Sequence, residues 1–211
     1  MPAQDALSAE RQAARDWYSD ARFGMFIHWG PVSLKGTEIG WSRGDQVPTA
    51  EYDALYQRFD PVAFDANAWM ALAKEGGMRY VVPTAKHHDG FCMWDTKFTD
   101  YKITSGQVPF HADPRADTVK VMTAAFRKRG LSSGLYFSKA DWHSPYYWLP
   151  ELGPGSGQGP NYDTAQHPDA WRKFKDFTWK QVEELMTGYG KQDVLWLDGG
   201  AVRPPNADID M

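Results

Sequence analysis

Short apolar runs and longer amphipathic stretches take turns along this chain. Four runs are compact and rich in β-branched or aromatic residues: residues 23–28, 78–84, 133–138 and 194–197. Each predicts a strand. Between them the apolar spacing is helical, over residues 50–58 and 65–75 with Leu55, Trp69 and Leu72, and over 118–129 with Val121, Met122, Ala125 and Phe126. A longer helix is predicted over 169–189, carrying Trp171, Phe174, Phe177, Val182 and Leu185. Glycines stand where these helices should stop, at Gly76-Gly77, Gly130, Gly188 and Gly190. The order is β-α-β-α-β-α-β, and the strands are too apolar for a sheet with one wet face. That predicts parallel strands covered by helices.

Strand starts lie roughly 50–60 residues apart, well above the ~30 of a minimal βαβ unit. The excess falls after each strand's C-terminal end, where long loops build the sites of (β/α)8 barrels. No GxGxxG follows any strand, which disfavours a Rossmann sheet. The expected fold class is therefore α/β, a (β/α)8 TIM-like barrel of which about the first half, four βα units, is present. Four parallel strands leave two open edges and an uncovered inner face. The chain is accordingly expected to be the N-terminal part of a longer protein; the alternative is a small open α/β sheet complete in itself.

Composition narrows the partners. Net charge is −4 with both signs well mixed, which points to neither a nucleic-acid nor a membrane surface. The lone Cys92 excludes an internal disulfide and a cysteine-built metal site, and is expected to be a packed thiol. No apolar stretch approaches the roughly 20 residues that span a bilayer. Residues 1–20 lack the apolar core of a signal peptide, which suits a cytoplasmic protein or a secreted one whose leader has been cleaved. Residues 153–160 read as a glycine-rich surface loop, with no GK[ST] to make a phosphate cradle. Aromatics reach 15%, and although most rings belong in a core, their number slightly favours a carbohydrate partner.

The chemistry gathers at strand ends. Asp198 closes the fourth apolar run just before Gly199-Gly200, a position for either a helix N-cap or a catalytic carboxylate. The first run leads into His28-Trp29-Gly30 and the second into Lys86-His87-His88-Asp89-Gly90. Strands that deliver His, His and Asp from the same end of a sheet predict one site. Neutral imidazole has one donor and one acceptor, which suits a hydroxyl ligand. Adjacent His87 and His88 cannot both face a pocket from an ideal strand. The chain must turn there; Asp89-Gly90 supplies the turn, and Asp89 is expected to orient a histidine by accepting its far N–H. His111, His143 and His167 are expected to be satisfied core residues. A zinc reading of the histidines and Asp198 competes, because these are zinc ligands, but neither HExxH nor HxH spacing occurs.

Read together, FGMFIHWG at 23–30, TAKHHDGF at 84–91, GLYFS at 134–138 and VLWLDG at 194–199 resemble the successive signatures of family 29 α-L-fucosidases, in the family's order and from about residue 17 onward. The resemblance implies an extension at 1–16 and the first part of a (β/α)8-like catalytic domain at 17–211, with the remaining barrel and a C-terminal β-sandwich lying beyond. It implies a retaining exo-α-L-fucosidase that releases terminal α-L-fucose from glycans or small fucosides through a glycosyl-enzyme intermediate, with no cofactor and no metal. By motif position Asp198 is the nucleophile, Tyr136 bonds it, and His28, His87 and His88 bind the sugar hydroxyls. Trp196 lies two residues before the nucleophile on the same strand face. Glu38 and Trp41 correspond, with two residues between them, to an adjacent Glu-Trp pair that contacts the sugar in many relatives. The family's acid/base is a glutamate several tens of residues past the nucleophile; Asp208 and Asp210 match no such motif. These 211 residues alone are therefore expected not to turn over a fucoside. A non-catalytic fucose-binding protein or a remnant is the alternative function, and an oligomer is compatible with either.

Overall fold

The computed structural model describes residues 8–155, 158–205 and 207–211. Strands β1 (Gly24–Ile27), β2 (Tyr80–Lys86), β3 (Ser132–Ser138) and β4 (Val194–Asp198) form one parallel sheet in the order β1-β2-β3-β4. The helices are α1 (Ala9–Ala21), α2 (Thr49–Ala54), α3 (Ala66–Glu75), α4 (Thr118–Lys128) and α5 (Pro168–Gly188). Strand neighbours follow chain order without the reversal that marks a doubly wound sheet. Helix starts are signalled locally: the Asp65 carboxylate accepts from Asn67 and Ala68 N–H, the Asp117 carboxylate accepts from Lys120 N–H, and Pro168 opens α5.

The two faces of the sheet differ. Met25, Ile27, Val81, Ala85, Leu135, Phe137, Leu195 and Leu197 point to one side. There they pack with Met70 and Ala73 of α3, Val119, Met122 and Phe126 of α4, and Val182 and Leu185 of α5 into one apolar core. By the two-residue period of a strand, Phe26, Thr84, Tyr136, Trp196 and Asp198 take the other side. On it Phe26 meets Tyr136 and Trp196 edge-on, with centroids 5.7 and 5.3 Å apart. Phe26 and Trp196 remain 42% and 44% exposed, so the described residues leave this inner face open.

Helix α1 had no counterpart in the sequence reading. Of its residues only Ala21 is buried, so the apolar stripe that would have announced it is missing. Its Trp17 and Tyr18 rings rest on Tyr80 at the start of β2, at 6.4 and 5.6 Å, which sets the helix at the N-terminal end of the strands. At that end the strands are entered from short links (residues 76–79, 129–131 and 189–193); at the other they leave into long loops, 28–48, 87–117 and, among the described residues, 139–155 with 158–167. Among the described residues no helix is long and apolar enough to cross a membrane. Cys92 is buried, accepts from Gln181 Nε2 at 3.4 Å, and has its thiol pKa pushed up by burial, as befits a packed thiol.

Candidate active site

A cavity of about 440 Å³ opens at the C-terminal ends of the strands. Its wall includes His28, Trp29, Glu38, Ile39, Trp41, His87, His88, Gln158 and Asp198. The sheet explains how adjacent histidines share it. On β2, Thr84 pairs with Tyr136 but Lys86 pairs with Phe137, so one extra residue interrupts the register and reverses the alternation. Lys86 is thereby sent outward with Phe137, fully buried, where Nζ donates to Asp141 Oδ2 at 3.0 Å and Gln181 Oε1 at 2.9 Å. His87 then stacks on Tyr136, with ring centroids 5.5 Å apart and planes 13° from parallel. A turn closed by the Gly90 N–H to His87 carbonyl bond (3.0 Å) brings His88 to the same side. Gly90 has φ +81°, and a Cβ there would collide with the Asp141 carboxylate, so no larger residue fits this turn.

Asp89 does not orient a histidine. Its Oδ2 accepts from the Tyr52 hydroxyl at 2.6 Å and its Oδ1 from Phe91 N–H at 3.1 Å. The same Tyr52 oxygen accepts from Gly40 N–H at 2.8 Å, which ties the loop carrying Trp41 to the turn carrying the histidines. Gly40 has φ +70°, and a Cβ there would come within 2.5 Å of His87 Nδ1. The bare backbone therefore lies directly against the imidazole.

Asp198 faces the cavity, its side chain 43% exposed. The Tyr136 hydroxyl donates to Oδ2 at 2.7 Å, and Gly199 N–H donates to Oδ1 at 2.6 Å. Partial burial pushes this carboxyl up, but the Tyr136 hydroxyl, the Gly199 N–H and the nearby imidazoles together outweigh it and hold the pKa below the usual carboxylate value. His88 Nε2 lies 3.8 Å from Asp198 Oδ2. That is no ion pair at neutral pH, because burial lowers the His88 pKa and the pull of Asp198 only partly offsets it.

Two of the rings are held from behind in the same way. His28 Nδ1 contacts Thr84 Oγ1, and that hydroxyl donates to the Ile27 carbonyl at 3.0 Å. His88 Nδ1 lies 2.6 Å from Ser138 Oγ, which donates to the Ala140 carbonyl at 2.6 Å. His87 Nδ1 is buried without a hydrogen-bond partner among the described residues. Burial lowers the His28 pKa, and lowers that of His87 to about 2 with help from the neighbouring His88 and His28.

The structure thus gathers His28, Glu38, Trp41, His87, His88 and Asp198 around one cavity. Tyr136 supports them from beneath as the donor to Asp198. Trp196 is not brought to the wall: a strand rises about 3.3 Å per residue, so two residues before Asp198 its ring sits a layer lower, against Phe26. Sequence reasoning missed Trp142 and Trp148. Trp41 meets His88 and Trp142 edge-on, both at 5.3 Å, and Trp142 stacks on Trp148 at 5.7 Å, extending an aromatic wall away from the histidines. It also missed Gln158, whose loop is pinned over the cavity by the Tyr147 hydroxyl on the Gln158 carbonyl (2.5 Å) and the Trp148 N–H on the Gly159 carbonyl (3.0 Å). No local pattern encodes such a reach. His111 and His143 are exposed rather than core, the first bonded to the Val108 carbonyl and the second stacked on Tyr101 at 3.8 Å; His167 is half-buried. Among the described residues no group of three or more His, Cys, Asp or Glu side chains is arranged to hold a metal ion.

These imidazoles make stability depend on pH. Below their ordinary value of 6.5 the unfolded chain gains protons on His28, His87 and His88 that the folded chain refuses, so stability is lost as pH falls. Asp89, raised to about 6 chiefly by burial, and Asp117, also raised by burial, act in the opposite direction, since their folded carboxyls take protons first. His87, which refuses a proton down to about 2, departs further from its ordinary value than Asp89 does and decides the sign. The urea midpoint is expected to be lower at pH 5 than at pH 7, with a shallower difference for His87→Gln. A midpoint that rises on acidification would remove the buried neutral imidazoles from this account.

Known proteins place the arrangement. The alpha-L-fucosidase family model matches residues 3–211. Alpha-L-fucosidase 1 of Arabidopsis thaliana is 32% identical over 175 residues, 83% of this chain and 28% of the relative. Plasma alpha-L-fucosidase of Homo sapiens is 28% identical over 222 residues, 96% of this chain and 43% of the relative. Among solved structures, alpha-L-fucosidase isoenzyme 1 from Paenibacillus thiaminolyticus superposes with a TM-score of 0.73 at 35% identity, covering 89% of this chain and 43% of that one. Alpha-L-fucosidase AlfC from Lactobacillus casei, in complex with its alpha-L-fucose product, superposes with a TM-score of 0.68 at 34% identity, covering 88% of this chain and 60% of that one. The chain spans less than half the length of these two curated relatives. The parallel α/β sheet, the cavity at its strand ends and a family match along nearly the whole sequence lead to one conclusion: this chain belongs to the α-L-fucosidases of glycoside hydrolase family 29.

Proposed function

We propose that residues 17–211 are the nucleophile-bearing first half of the (β/α)8 catalytic domain of a retaining exo-α-L-fucosidase, that residues 1–16 extend it, and that the rest of the barrel, the acid/base glutamate and a β-sandwich follow in sequence. The observation that carries this reading is Asp198, ionised and bonded by Tyr136 and Gly199 at a cavity lined by three neutral imidazoles. The carboxylate attacks the anomeric carbon of a terminal α-L-fucosyl unit. The aglycone oxygen leaves with a proton from the acid/base, and water then cleaves the glycosyl ester. The open inner face, with Phe26 and Trp196 exposed, is where the remaining strands would close the barrel. Of the carboxylates lining the cavity among the described residues, Glu38 is the one besides Asp198.

The test uses the protein with its downstream sequence and an aryl α-L-fucoside, following the first-formed sugar by proton NMR. α-L-Fucose as that product is expected, since two displacements retain configuration. Its β-anomer would refute the double displacement. Residues 1–211 alone are expected to be inactive, and turnover by them would move the acid/base role to Glu38. Fucose binding without hydrolysis by the extended protein would make the chain a fucose-binding protein.

A further inference from the structure

We infer that Thr84 and Ser138 are positioning residues that fix His28 and His88 as hydrogen-bond acceptors toward the cavity, leaving His87 as the donor between them. This rests on the fucoside reading above and gives that site its hydrogen-bond polarity. A hydroxyl has a single proton. The Thr84 proton is committed to the Ile27 carbonyl and the Ser138 proton to the Ala140 carbonyl. Each oxygen can then only accept from the imidazole nitrogen beside it, so Nδ1 of both His28 and His88 carries the hydrogen. In a neutral ring Nε2 is consequently a bare lone pair, and in both residues the ring faces the cavity. Thr84 and Ser138 are 1% and 0% exposed, which denies water the chance to offer their hydroxyls another arrangement.

His87 is set the other way. Its Nδ1 is buried against the Gly40 backbone with no partner among the described residues. A buried N–H without an acceptor is rarer in folded proteins than a buried lone pair without a donor, so Nδ1 is bare and Nε2 carries the hydrogen. The His87 ring lies 5.1 Å from His28 and 4.4 Å from His88. A sugar hydroxyl seated between His87 and either neighbour accepts from the first and donates to the second, using both of its roles. A methyl ether or a fluorine at the same carbon cannot donate, and is refused.

The experiment is a long-range proton–nitrogen NMR spectrum of the unliganded protein with ¹⁵N-labelled histidine, at a pH where the rings are neutral. His28 and His88 are expected as Nδ1–H tautomers and His87 as Nε2–H. Thr84→Val should move His28 toward the Nε2–H form, Thr84→Ser should restore the original pattern, and Ser138→Ala should do to His88 what Thr84→Val does to His28. L-Fucose affinity should fall about tenfold in Thr84→Val, the scale of one misplaced hydrogen bond, and recover in Thr84→Ser. Wild-type His28 or His88 found as Nε2–H, or a His28 pattern indifferent to Thr84→Val, would overturn the assignment without needing any variant to bind sugar. A protein with these tautomers that binds no fucose would instead overturn the functional reading and leave the relay in place.

Discussion

Asp198→Gly, made in the protein extended through the proposed downstream acid/base, is expected to lower kcat for an aryl α-L-fucoside by on the order of 10⁴-fold or more, the scale of losing a catalytic nucleophile. The change should fall on kcat rather than KM, because the imidazoles that line the cavity are untouched. Tyr136 and Gly199 would lose the oxygens they now donate to, but the phenol and the backbone stay in place. Added azide fits the space left by the carboxylate and is itself a small anionic nucleophile. It should attack the anomeric carbon from the same face, form a carbon–nitrogen bond as the aglycone leaves, and release β-L-fucosyl azide. Partial recovery of aglycone release with that product identifies the role. An Asp198 that merely capped the following turn would show the opposite pattern: lower stability, intact turnover and indifference to azide.

Lys86→Met is expected to cost about 3–5 kcal/mol of folding stability, the usual penalty for stranding one partner of a buried ion pair. A domain has only about 5–15 kcal/mol in total, so the loss should be plain in any urea or thermal transition. Lys86 and Asp141 are fully and almost fully buried, and the ammonium also bonds Gln181 and lies 4.4 Å from the centre of the Phe137 ring. The methionine fills much of the same space but leaves the Asp141 carboxylate without a cation. Lys86→Met with Asp141→Asn should recover most of the loss. The amide oxygen of the asparagine still accepts from His143 and Ser144 N–H, as Asp141 Oδ1 does now, and no charge is left behind. A double variant as unstable as the single one would show that shape, not charge, governs this position.

Lys86 also marks where the sequence stopped being legible. Three strands and the long helices were readable within a residue or two, because apolar spacing reports the core face directly. The second strand was expected over 78–84 and lies at Tyr80–Lys86. Met78 and Arg79 belong to the link from α3, while Lys86 continues the strand because Asp141 and Gln181, far along the chain, neutralise and bond it. No local pattern reveals that. The convergence of His28, His87, His88 and Asp198 could be foreseen, since parallel strands end on one side. The partner of Asp89 could not, because Tyr52 arrives from helix α2, 37 residues earlier in the chain, and nor could Gln158, whose place depends on bonds to Tyr147 and Trp148.

The Tyr52 phenol has a consequence for selectivity. By gripping a backbone amide of one segment and a carboxylate of the other, it makes the tryptophan wall and the imidazole floor a single block, and the Gly40–His87 contact leaves no slack between them. A sugar bound as proposed would meet groups that are already aligned, and little of its affinity would be lost to ordering them. The same rigidity forbids accommodation: an epimer with one hydroxyl on the wrong side of its ring cannot coax the block into a second shape.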